Sequence, residues 1–126
     1  MASINFNKQQ TYPFVAEIGK MANICGKINI SFKPNSLILL TKSADNEMKI
    51  ELDTNEYDYR CNNIIHIQCD VKVLLNELIE NLDLREPISI WIDGDKLYYK
   101  GTPKLNYQLP TISKKLSLIS TSTSKL

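Results

Sequence analysis

Apolar and polar residues alternate at the start of the chain, where Ile4 and Phe6 in SINFN predict a half-buried strand. The repeat then lengthens. In TYPFVAEIGKMANICGK, Phe14, Ile18 and Met21 or Ala22 form a stripe, which predicts a helix with Pro13 in its first turn and Gly26 closing it. KINISFKPNSLILLTK reads as two strands around Lys33-Pro34-Asn35. MKIEL follows the turn SADNE as a further strand, DTNEYDY leads on, and NIIHIQC sets Ile65 and Ile67 on one strand face. The clearest helix comes next: Val71, Leu74, Leu75, Leu78, Ile79 and Leu82 lie opposite Lys72, Asn76, Glu80 and Asp83, with Asp70 as N-cap. PISIWID and KLYYKG, joined through Asp93-Gly94, predict a hairpin. LNYQLPTI is the last strand, and Pro110 favours an edge or an end for it.

The order is therefore β-α-β-β-β, twice over, an internal repeat of architecture. It predicts an α+β domain over residues 1–112, with two helices side by side on an antiparallel sheet and their polar faces forming a shared outer surface. Residues 113–126, SKKLSLISTSTSKL, have little to bury and are expected to form a mobile tail.

The 126 residues suit one domain with one core. No window approaches the roughly 18 uninterrupted apolar residues of a membrane span, and no membrane partner is expected. The start MASINFNKQQ lacks a basic stretch followed by an apolar run, and three cysteines without CxxC spacing suit an intracellular, reduced protein. The net charge of +1 is unevenly spread. Residues 1–40 hold four lysines against Glu17, residues 41–100 hold seven basic against thirteen acidic residues, and residues 101–126 hold four lysines and no acid. Any basic surface must come from folding the two ends together or from assembly.

Candidate chemistry is sparse. His66 sits between isoleucines, Cys61 and Cys69 are far from Cys25 in sequence, and no zinc spacing or orienting group for a Cys-His nucleophile is present. No phosphate-binding glycine loop occurs. Neither catalysis, a metal nor a cofactor is expected. Arg60 is expected to brace its turn through Asp58 or Glu56, or to stack on Tyr57 or Tyr59. Trp91 is either an interface anchor or the cover of a sheet edge.

With these residues attached, the pattern resembles one domain of the eukaryotic, archaeal and viral sliding clamps, the proliferating-cell nuclear antigen family. The resemblance runs over roughly residues 4–112. It is carried most specifically by SLILLTKSADNEMKIEL, where Ser43, Ala44 and Asp45 take the family's serine-aspartate segment, and by EYDYRCNNIIHIQCDVKVLLNELI, where Tyr57, Tyr59, Arg60 and Cys61 meet its aromatic-arginine-cysteine run. Ile64 to Leu82 match its next strand and helix, and Ile88 to Tyr99 its later hairpin.

The resemblance implies a non-enzymatic processivity factor subunit, possible source a DNA virus, that self-associates through sheet edges. The assembly would be a homohexamer, or would include another clamp-like subunit, because such rings contain six domains. It further implies duplex DNA bound without sequence specificity, with polymerase or repair proteins as clients, in the nucleus or at a cytoplasmic viral replication site. Helices line the hole in this family, so Lys8, Lys20, Lys27 and Lys72 are the DNA-facing candidates, against Glu17, Glu77, Glu80 and Asp83. Lys104, Tyr107 and Leu109 are the subunit-interface candidates, with residues 37–53 supplying the partner strand. The alternative is a clamp fold reused as a protein-binding or transcription-associated scaffold that does not encircle DNA. Leu116, Leu118 and Ile119 are read as ordinary tail residues in preference to occupants of a client-peptide pocket.

Overall fold

The computed structural model describes residues 1–104 and 111–124. Strand β1 (Ala2–Phe6) leads into helix α1 (Lys8–Ala22), followed by β2 (Lys27–Lys33), β3 (Ser36–Lys42), β4 (Glu47–Asp53) and β5 (Asp58–Cys61). The second half repeats this order with β6 (Ile64–Asp70), α2 (Val71–Asn81), β7 (Ile88–Asp93), β8 (Lys96–Gly101), β9 (Ile112–Ser117) and β10 (Ser120–Ser124). The duplicated α+β unit is present, with one more strand in each half than the hydrophobic pattern marked.

The halves interlock. One sheet has the order β5-β1-β7-β8-β9 and the other β10-β6-β2-β3-β4, all neighbours antiparallel. Exchanging each element of one half with its counterpart in the other converts the first order into the second. Each sheet thus contains strands of both repeats, and neither half closes its own sheet.

Alternate residues along these strands turn inward. Ile4, Ile90 and Leu97 from the first sheet meet Ile30, Phe32, Leu37 and Leu39 from the second, with Phe14 of α1 and Leu74 of α2 completing the wall. Phe6 stacks on Phe14 with ring centroids 4.3 Å apart. The helices supply Val15, Ile18 and Met21 from α1 and Val71, Leu74 and Leu78 from α2. Burying a side chain of this size is worth about 1.5–3 kcal/mol, so the two sheets and the helix pair are held by one shared core.

Several local features differ from the pattern-based expectation. Helix α1 begins before the TYPF segment because Asn7 accepts from the Gln9 and Gln10 backbones at 3.0 and 2.9 Å, and the Gln10 side chain returns to Asn7 N–H at 3.0 Å. Pro13 therefore lies in the helix interior on the exposed side, and Asn23 rather than Gly26 caps the end. Asp70 does cap α2, accepting from Lys72 and Val73 at 2.9 and 3.0 Å. Gly94 has φ +61 in the tight β7–β8 turn, where glycine is favoured.

The expected mobile tail is corrected. Residues 112–117 pair with β8 and residues 120–124 with β6, and Leu116 is buried. Strand pairing supplies what apolar content does not, because an open sheet edge satisfies the backbone of even an STSTS segment. Leu116 and Leu118 pack on the core, whereas Ile119 is 51% exposed. Most of the predicted strand LNYQLPTI, including Tyr107 and Leu109, lies outside the described residues.

Candidate functional site: a helix layer and two terminal strands

Two hydrogen bonds set the direction of the helices. Val71 N–H donates to the Gly26 carbonyl at 3.0 Å, bringing the end of α1 to the start of α2. At the other end the Thr11 hydroxyl donates to the Glu86 carbonyl at 2.9 Å. The pair is antiparallel. Lys20 in the last turn of α1, Lys27 at the start of β2 and Lys72 in the first turn of α2 therefore belong to one end of the layer, and Lys8 to the other. All four are exposed.

The charge is balanced. Lys20 Nζ lies 3.0 Å from Glu17, and Lys8 Nζ lies 3.7 Å from Glu86. Lys27 and Lys72 have no ion pair with another described residue. On the helices themselves, Lys8, Lys20 and Lys72 stand against Glu17, Glu77 and Glu80. Glu77 is half-buried and accepts from the Tyr99 hydroxyl and, at 3.1 Å, from Asn81 Nδ2. Burial first, and then the Glu77 carboxylate, push the Tyr99 phenol above its ordinary range. Three apolar side chains complete the layer, with Tyr12 65%, Val73 43% and Ile79 37% exposed.

Lys104 lies beside the end of α2, its N–H donating to the Asn81 carbonyl at 3.1 Å. It lines a shallow depression of about 410 Å³ with Tyr12, Ile79, Leu84 and Arg85, and belongs to no terminal strand. Below it, Asp83 is held by Arg85 through two 3.0 Å side-chain hydrogen bonds, which together with the Arg85 N–H keep its carboxyl below the usual carboxylate range.

The sheets end in β5 and β9, and in β10 and β4. Their charges differ. β4 carries Glu47, Glu51 and Asp53 with Lys49, while β9 carries Lys114 and Lys115 and no acid. β5 balances Asp58 with Arg60, and β10 is uncharged. The expected partner strand within 37–53 thus contains a true edge, β4. Lys114 and Lys115 were not singled out by sequence reasoning; the alternation of SKKLSL with inward Leu116 is the signal that marks their strand.

The remaining candidates have ordinary environments. His66 is exposed, with Nδ1 2.7 Å from the Ser31 hydroxyl. The Cys61 thiol donates to the Asn63 carbonyl at 2.7 Å, and burial raises the Cys69 thiol to about 12, aided by Asp70. Among the described residues no three His, Cys, Asp or Glu side chains gather as a metal site, and no helix is long and apolar enough to cross a membrane. Arg60 does not brace its turn through Asp58 or Glu56; the Asp58 carboxylate instead accepts from Asn5 Nδ2 at 2.9 Å, and Arg60 is exposed in register with Ser3. Trp91 covers no sheet edge, since β7 is the central strand of its sheet.

No protein-family model and no curated protein sequence matches the chain. Its architecture does match solved structures. PCNA from Thermococcus kodakaraensis aligns with a TM-score of 0.79 at 14% identity, covering 95% of this chain and 47% of that one. This is the PCNA-type clamp fold. Proliferating Cellular Nuclear Antigen from Entamoeba histolytica aligns with a TM-score of 0.69 at 15% identity over 93% of this chain and 45% of that one. The chain thus spans about half the length of the clamps it matches, and at these identities the likeness establishes the clamp fold alone.

Proposed function

We propose that the chain is a subunit of a sliding-clamp-like processivity factor. It is a non-enzymatic tether that joins its sheet edges into a ring, holds duplex DNA without reading sequence, and keeps replication or repair proteins on it. The carrying observation is the complementary charge of two terminal strands in a clamp fold, each with its outer edge unpaired among the described residues: acidic β4 and basic β9. An edge strand offers a row of unsatisfied backbone donors and acceptors. Joining β4 of one copy to β9 of the next is a heterologous contact, and such contacts close into a ring when the rotation permits. Six copies, or this chain with another clamp-like subunit, complete the circle. Lys20, Lys27 and Lys72 at one end of the helix layer, and Lys8 at the other, contact phosphates. Such contacts exchange along the duplex and fix no sequence.

Light scattering across a concentration series tests assembly. A particle near ~86 kDa, six protomers of one closed ring, is the expected result, and Lys114→Glu with Lys115→Glu shifts it toward monomer. Retention on circular duplex, lost on linearisation, then tests encirclement. Lys20→Glu with Lys72→Glu weakens that retention without unfolding the protein and lowers the salt slope by about 0.9 for each phosphate no longer neutralised. A persistent monomer that circular DNA does not retain overturns the proposal.

One observation favours a second reading, a clamp-fold scaffold that binds proteins and does not surround DNA. The helix charges cancel, and Tyr12, Val73 and Ile79 stand exposed among them. Under that reading, circular and linear duplex are retained equally poorly and the glutamate substitutions change nothing.

A further inference from the structure

The outer face of the β5-β1-β7-β8-β9 sheet has a composition that the tether does not use. Register places Arg60, Ser3, Trp91, Tyr98 and Lys115 in one row across all five strands. Neighbouring strands lie about 4.8 Å apart, so the row spans roughly 19 Å. At its centre the rings of Trp91 and Tyr98 are stacked, with centroids 5.5 Å apart and planes 8° from parallel. Both are half-buried, so their rings remain accessible.

The charge around the rings is one-sided. On the strands the outward cations are Arg60, Lys96, Lys100 and Lys115 and the outward acids Asp58 and Asp93, with Asp95 exposed in the β7–β8 turn. Asp58 is engaged by Asn5; Asp93 is in register with Lys96, whose amine donates to the Ser117 hydroxyl at 3.4 Å. Arg60, Lys100 and Lys115 are left as exposed cations without an ion pair to another described residue. A ligand that satisfies this surface needs planar rings and regularly spaced negative charge. An acidic peptide supplies the charge but gives the paired rings no partner.

We propose that this face binds single-stranded DNA, with bases stacking on Trp91 and Tyr98 and phosphates meeting Arg60, Lys100 and Lys115. Base–aromatic stacking beside a basic track is a general means of binding single strands without sequence preference. Arg60, Trp91, Tyr98 and Lys100 lie on β5, β7 and β8, so they stay open when β9 pairs with a neighbouring copy; only Lys115 is shared with that joint.

Trp91 is the only tryptophan in the chain and reports directly on its own contacts. Titration with an oligothymidylate of ~12 nucleotides, within the usual range of single-strand sites, is expected to quench its fluorescence. The expected salt slope is about −2, from three phosphate contacts on a single strand. Arg60→Glu with Lys100→Glu should lower affinity by at least about tenfold, and Trp91→Leu by about tenfold in anisotropy. Lys33→Glu with Lys42→Glu, on the other sheet, should leave it unchanged. The Arg60 and Lys100 changes lie on exposed side chains, so the test does not depend on whether the Trp91 variant folds. Absence of quenching at low salt overturns the proposal. So does equal binding by the Arg60/Lys100 variant, tighter binding of an oligouridylate, or displacement of the DNA by polyglutamate at equal concentration. Retention of the Arg60/Lys100 variant on circular duplex is a separate readout, so this inference and the tether reading can fail independently.

Discussion

The two sheets share a topology and diverge only where they face solvent. Inside, both present mostly apolar residues to the helices, and Ile30 and Ile90 occupy corresponding strands with the same 5% exposure. Outside, the β5-β1-β7-β8-β9 sheet carries a stacked Trp–Tyr pair and a surplus of cations. The other carries Ile38, Leu40 and Ile64, no Trp, Tyr or Phe, and four lysines against Glu47, Glu51, Asp53 and Asp70. The difference teaches that the repeat is kept where packing demands it. Inward residues must fill a common core at near-crystalline density, whereas outward residues answer only to water and partners.

The largest effects should be equal on the two sides. Ile30→Ala and Ile90→Ala are each expected to cost about 2–5 kcal/mol in urea unfolding, as for other buried large-to-small changes. Costs differing by more than half would break the equivalence of the inner faces. Outward substitutions should then separate the sheets: Tyr98→Ala loses the ring pair, about 0.5–1.5 kcal/mol beyond its area, while Leu40→Ala loses only part of an aliphatic contact. Equal melting-temperature shifts would remove the stacked pair as a distinguishing feature.

The smallest effect concerns the segments after the helices, where only the second half has an Asp83–Arg85 pair. Arg85 lowers the Asp83 pKa in the folded state, so the contribution is present above the ordinary carboxylate range and is lost as pH falls through the folded value. Because the Arg85 side chain is 83% exposed, its worth should be under about 1 kcal/mol. Asp83→Asn should flatten the acid limb of stability by that amount, and an unchanged limb in pH-dependent unfolding would remove the pair from the comparison.

Much of this was legible along the chain. Six apolar positions and the Asp70 cap located α2 to within a residue of its end, and the turn residues located the β2–β3 and β7–β8 hairpins. Helix α1 was misplaced at its start because Pro13 outweighed the less conspicuous Asn7–Gln10 capping box. β9 and β10 were missed because Lys114, Lys115 and the serines and threonines of STSTS bury almost nothing. Of the site, the four helix-layer lysines do lie at the surface, but the pattern gave no sign of which acids pair with them. The basic edge at Lys114 and Lys115 was invisible while its strand was.

By itself the sequence determined the α+β class, the doubled unit and which face of each element turns inward, since hydrophobic periodicity records burial residue by residue. Only the tertiary structure decided that the halves exchange strands, that two sheets form in place of one, and that Arg60, Trp91, Tyr98 and Lys115 share a row. Those outcomes depend on backbone pairing between distant segments. A backbone donor has no side-chain signature, so the choice of its partner is made when the shared core brings the strands together.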